Sequence, residues 1–554
     1  MGRRQRWWAL ATVMWLVACG SDSDGPGTDG QRMPPGGSYE ALVALAEEFR
    51  EFVPPRMVDG VPDYTADAMR TQHAELADFR ARLDAIDDSA WPIEQRVDYM
   101  LVLAEMRGLD FHHRVLAPWR RDPAYYSTVH LGFGPRLHGT MSFPELPVAD
   151  DEALATLETQ LAAIPAILEQ ARGNLVELKR DLALLAVERK RIERNMFDRF
   201  ADALDDHHPE LAPAAREARD AIDAFVAWLR ARASDAPRYA GIGVDEYNWF
   251  LRYVLLYPYT WDEMMVMGER EYERAMGFLA LEEHRNRDIP MVEPADSLEE
   301  FERRRAEADE VLLRFLDEHD ILTVPDDVVP VRGQGPYILP GDRDPTSRGP
   351  FEPPIERHFF RQTEDRDPLP LRAHNTPGHL MDRVMQSRDD RPIRGRELLW
   401  FIGANRAEAW AYYLEGMVHQ AGLFEDRPSA RQINWVLQAK RAARIKPELM
   451  MQANRWTFDE ALESLTTRTP YWMAPDDPIA IYDLELYLRQ PGLGVNYPVG
   501  RIQVEQLLAE RARELGADFD LRAFHDEFVA AGMIPVSLIR WQMTGRDDQV
   551  RKMR

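Results

Sequence analysis

DEALATLETQLAAIPAILEQARGNLVELKRDLALLAVERKRIERNMFDRF, residues 151–200, repeats apolar side chains every third or fourth position with charged residues between them. Leu154, Leu157, Leu161, Ile164 and Leu168 fall on one stripe of a helix, and strand-like alternation is scarce. The stretch therefore reads as long amphipathic helices, which bury their apolar faces by packing antiparallel on one another. Outward from it the pattern recurs at 40–52, 65–86 and 93–116, and again at 397–423, 430–456 and 457–469. Near the end, residues 483–516 place helices on either side of a Gly- and Pro-containing turn. The expected fold is mainly α, a large body of long antiparallel helices with no fixed-period repeat.

One segment breaks the rhythm. Near 325–372 the chain is dense in Pro, Gly and Asp, with short β-prone pieces at VVPVR (328–332) and RHFFRQ (357–362). A small irregular or β insertion is expected there. It separates two sub-lobes, 38–325 and 373–547, of a single domain spanning 38–547, with 548–554 as a tail.

The start has its own logic. Arg3, Arg4 and Arg6 precede an apolar run from Trp7 to Ala18, which is too short for an ordinary spanning helix and reads as a signal peptide over residues 1–19. The chain has one cysteine, Cys19, so it can build neither an intrachain disulfide nor a cysteine-based zinc site. That cysteine closes Leu16-Val17-Ala18-Cys19, which resembles a bacterial lipobox; acylation there would tether the protein to a membrane surface. Residues 20–37 lack large apolar side chains and read as a flexible tether. No aspartate follows Cys19 directly, which points to the outer membrane or a periplasm-facing surface of the cell envelope.

Across all 554 residues the formal net charge is −26, and the basic residues are spread out rather than gathered into stripes. That distribution excludes nucleic acid as a partner and describes a solvated acidic surface.

His374 and His379 flank Asn375-Thr376-Pro377-Gly378. On an uninterrupted α-helix, side chains five residues apart diverge by about 140°. Pro377 lacks a backbone donor and Gly378 tolerates unusual dihedrals, so a break there could aim both rings at one point. Downstream, Glu408 and Glu415 are seven residues apart on about the same helix face. Two imidazoles and a carboxylate are a zinc ligand set. Trp410, Tyr412 and Tyr413 read as packing residues of that helix, and His525, in a charged context, reads as a surface residue.

AHNTPGH (373–379) followed by EAWAYYLE (408–415) resembles the paired signatures HExxPGH and EGWALYxE of the bacterial domain of unknown function family 885. Blocks at 96–126, 251–276, 455–470 and 486–503 are similar to the family as well, so the resemblance covers roughly residues 40 to 545. It implies a helical zinc-metallopeptidase-like protein whose two halves flank a deep cleft, acting on peptides. Carried onto this chain, it makes His374, His379 and Glu408 the zinc ligands. Glu415 becomes a supporting residue or substitute base, and Arg444 and Tyr497 face the peptide. Tyr497 would hydrogen-bond a substrate carbonyl or oxyanion; a plain bond across a helix junction is the other reading of that tyrosine.

The first signature departs from the pattern. Without a gap, Ala373 takes the first histidine column and His374 the glutamate column; with a one-residue deletion, His374 is a ligand and Asn375 replaces the glutamate. Either register loses the general base, a loss of about 10²- to 10⁴-fold in rate. The family's DTGIHxKGW block becomes ELMMQANRW (448–456), with Glu448 in the aspartate column and Gln452 in the histidine column. Two functions follow from the resemblance: a lipid-anchored zinc peptidase, or a pseudo-peptidase that kept the fold and binds peptides at the cell surface.

Overall fold

Residues 151–200 form two helices, Asp151–Asn174 and Arg180–His207, in this computed structural model, which describes residues 37–130, 140–333, 335 and 349–554. The Asp150 carboxylate accepts the Ala153 N–H and starts the first helix, leaving Leu157, Leu161, Ile164 and Leu168 on its buried stripe. A short turn at 208–211 leads into Ala212–Ala233, which packs along Arg180–His207 as an antiparallel hairpin and also receives Asp151–Asn174. Their facing residues, among them Phe197, Leu204, Ile222, Phe225 and Leu229, make one core.

The fold is mainly α, as expected. Among the described residues the one sheet is an antiparallel pair, Met57–Val58 with Val61–Pro62. The expected β character of 357–362 is overturned: Phe359–Glu364 is a helix whose Phe359 and Thr363 are buried. Aromatic content favours a strand reading there, but the Phe359 N–H at the start of the segment is taken by the Asp477 carboxylate, a bond that supports a helix instead. Residues 328–332 form no strand, and positions 334 and 336–348 of that insertion, like the signal peptide and nearly all of the tether, lie outside the described residues.

The principal core ignores the boundary near 325–372. Leu42, Phe49, Leu101, Leu251 and Leu312 share it with Leu414, Val499, Phe528 and Leu538. A further core gathers around Pro428–Ala443 with Phe458–Arg468 and Pro478–Arg489. The expected tail is not free: Val550 and Met553 are buried in the principal core, and Arg107 donates to the Met553 carbonyl. Among the described residues no helix is long and apolar enough to cross a membrane.

Two close helix approaches position the site. Ala404–Gln420 lies against Asn496–Leu515 where Gly500 meets Ala409; a Cβ on Gly500 would sit 2.4 Å from the Ala409 Cβ. On another side, a Cβ on Gly378 would stand 3.0 Å from the Ala411 Cβ. The chain thus brings the histidine segment and the Glu408 helix nearly backbone to backbone.

Candidate metal centre

The histidine segment is not broken. Leu369–His374 runs through a π-helical turn, Asn375–Leu380, into Met381–Ser387, with Asn375 and Met381 in ordinary right-handed conformation. This corrects the expectation of a break at Pro377-Gly378. Pro377 in a regular α-helix would clash with the carbonyl four residues back, and widening the turn relieves the clash without ending the helix. A π-turn accommodates an extra residue, so positions five apart stack as positions four apart do in an α-helix. Gly378 serves by admitting Ala411 rather than by an unusual dihedral.

The consequence is convergence. Nε2 of His379 lies 2.9 Å from Nε2 of His374, and Oε2 of Glu408 lies 3.7 Å from the His374 nitrogen and 3.5 Å from that of His379. Among the described residues these three form a group able to hold a metal ion. Atoms at those separations share a point about 2.0 Å from each, the length of a zinc–nitrogen or zinc–oxygen bond. Glu408 Oε2 is buried and makes no hydrogen bond, a costly state for a carboxylate oxygen without a cation. Burial opposes ionisation of Glu408, but the imidazoles and Arg441 outweigh it and hold the carboxyl well below its usual range. Burial, with Arg441 beside it, pushes His374 well below the ordinary imidazole range. An ionised carboxylate and a neutral imidazole are the forms that ligate a dication. The donor set fits zinc.

Glu415 stands behind this triangle. It is fully buried, its Oε1 is 2.8 Å from Nδ1 of His374 and off the axis of that N–H, and both its oxygens are taken by Arg441 at 2.5 and 3.2 Å. It therefore faces the rear of the ligand ring, where a carboxylate orients an imidazole; it does not face the point shared by the ligand atoms, and the substitute-base reading of Glu415 is corrected. Glu408 and Glu415 do share a helix face, since both reach His374 from Ala404–Gln420.

Tyr497 is partly buried, with its ring under two guanidiniums: the Arg444 carbon is 4.5 Å and the Arg441 carbon 5.3 Å from its centroid. Burial and the Glu408 charge raise its phenol well above the usual range, so it remains a hydrogen-bond donor. Arg444 pairs with Asp483 at 3.0 Å, and Lys440 reaches the same carboxylate at 2.5 Å. Arg441, Lys440 and Asp483 were not singled out from the sequence. Lys440 and Arg441 stand four and three residues before Arg444, and that spacing was the available signal.

The altered columns hold structure rather than chemistry. Gln452 donates to the carbonyls of Tyr487 and Leu488, while Glu448 accepts from the Tyr247 hydroxyl and from the N–H groups of Gly492 and Val495. Those bonds fix the 490–495 turn and, through it, the start of the Tyr497 helix. A cavity of about 280 Å³ is lined by Asp382, Gln386, Arg391, Arg406 and Val529, and none of the three candidate ligands borders it.

Fold and site together define an all-α protein with a His–His–Glu cluster gripped between a π-turn and a neighbouring helix. The chain belongs to the family described as bacterial protein of unknown function, DUF885, whose profile matches residues 53–280 and 372–543. Two solved structures share the fold. A candidate lipoprotein of unknown function from Shewanella oneidensis is 17% identical with a TM-score of 0.71, covering 91% of this chain and 99% of its own. A candidate lipoprotein from Colwellia psychrerythraea is 15% identical with a TM-score of 0.66, covering 92% of this chain and 99% of its own. No curated protein matches the chain.

Proposed function

We propose that this chain is a zinc-dependent, peptidase-like protein of the cell envelope, anchored by a lipid on Cys19. What carries the reading is the triangle of His374, His379 and Glu408 atoms at 2.9, 3.5 and 3.7 Å. A zinc ion there would supply Lewis acidity toward a peptide carbonyl. Around it, Glu415 orients His374, Arg441 fixes Glu415, and the Tyr497 phenol donates to a carbonyl or oxyanion of the peptide.

A second reading is favoured by Asn375, which stands where the family pattern has a glutamate, and by Glu415, which is committed to Arg441. It keeps the metal and the peptide but not hydrolysis, leaving a binding protein. Zinc analysis of the purified chain is expected to give one equivalent, and Glu408→Ala to lose it; a metal-free wild-type protein would remove both readings. A peptide-library digest then separates them, because chelator-sensitive cleavage that vanishes in Glu408→Ala eliminates the binding-only reading.

Anchoring rests on the Leu-Val-Ala-Cys sequence and on the description of both structural neighbours as candidate lipoproteins. Cys19→Ala is expected to move the protein from the membrane to the soluble fraction of lysed cells. Unchanged membrane partition would rule the anchor out.

A further inference from the structure

Two arginines three residues apart on neighbouring turns flank the Tyr497 ring, and they are used differently. Arg441 is spent: its Nε and Nη2 hold both oxygens of Glu415. Arg444 is 2% exposed; its Nη2 donates to Asp483, which Lys440 also holds, its Nε lies 3.0 Å from that carboxylate without hydrogen-bond geometry, and its Nη1 has no hydrogen-bond partner. A buried guanidinium with an unused donor is costly and calls for a reason. Position supplies one. Arg444 lies close enough to His374 and Glu408 for their charges to act on one another, and its guanidinium carbon is 4.5 Å from the Tyr497 ring.

Arg441 is paired with Glu415, and Arg444 shares the Asp483 carboxylate with Lys440, whose ammonium is pushed down to about 7 by burial and the neighbouring Arg444. A dication held by His374, His379 and Glu408 would add positive charge beside Arg444. An anionic ligand would complement both, and guanidinium pairs best with a planar oxyanion.

We propose that Arg444, covered by the Tyr497 ring, receives the free C-terminal carboxylate of a peptide bound beside the His374, His379 and Glu408 cluster. The assignment rests on the zinc-site reading and deepens it by naming the ligand class. Tyr497, the partly exposed member of the stack, turns aside to admit the carboxylate to Nη1. The shielding that keeps Nη1 from water also strengthens the pair once it forms.

The test is calorimetric binding of two N-acetylated tripeptides of one sequence, one with a free C-terminal carboxylate and one amidated, to the zinc-loaded full chain. The acid is expected to bind at least ten-fold tighter. Arg444→Met should bring the acid to the affinity of the amide and leave zinc content unchanged. Equal binding of acid and amide by the wild type overturns the assignment without need of a variant, as does a preference that survives Arg444→Met in a folded protein. Inorganic phosphate competing as well as the acid also overturns it. Should the chain take no zinc, the function proposed above falls, and the same pair tested on the metal-free chain decides this inference alone: a retained preference supports it and equal binding ends it.

Discussion

Arg441→Met should lower the unfolding free energy by about 3 to 5 kcal/mol, because removing one partner of a buried ion pair strands the other. Arg441 and Glu415 are 2% and 0% exposed, and two bonds join them. Methionine fills much of the volume but leaves the Glu415 carboxylate facing His374 without the guanidinium that bonds both its oxygens. Urea unfolding measures the loss. Arg441→Met combined with Glu415→Leu is expected to recover most of it, since an apolar pair of similar volume costs little where a lone charge costs much. The double variant should nevertheless bind zinc about 10- to 100-fold more weakly, because His374 has lost the carboxylate that orients it. Wild-type stability in Arg441→Met would mean that the pair contributes nothing; unchanged zinc affinity in the double variant would mean that Glu415 does not orient the ligand.

Trp410→Ala is expected to cost about 3 to 5 kcal/mol, the usual range for truncating a buried aromatic residue. Trp410 is fully buried, stacks 5.2 Å from Phe528 and 5.7 Å from Tyr413, and donates its indole N–H to the Pro377 carbonyl at 3.1 Å. That bond ties the π-turn to the Glu408 helix, so zinc should be lost along with stability. Trp410→Phe separates the effects: it keeps most of the packing, and zinc weakening beyond its stability loss isolates the bond. Equal zinc affinity in Trp410→Phe and wild type would show that the bond has no part in shaping the site.

The helices were legible because their periodicity is set by burial, as the Leu157, Leu161, Ile164 and Leu168 stripe illustrates. The packing roles of Trp410, Tyr412 and Tyr413 were legible for the same reason, and all three are buried. The convergence of His374, His379 and Glu408 was readable from spacing and motif, but its mechanism was not: Pro377 reads locally as a helix breaker, and only packing against Ala411 and the Trp410 bond selects a widened turn instead. Buried polar partners were harder still. His525 sits among charged residues in the sequence yet is fully buried, bonded to the Tyr413 hydroxyl and the Ile321 carbonyl, and no local pattern announces partners so distant in the chain. Arg441 was missed likewise, because an arginine on a helix is ordinarily solvated.

The principal core takes its side chains from both sides of the 325–372 segment. A gene divided there would yield two fragments, each presenting to water an apolar wall that evolved to meet the other. Neither half could bury its share of that core, and adhesion to chaperones or to its own copies would be the fate of either expressed alone.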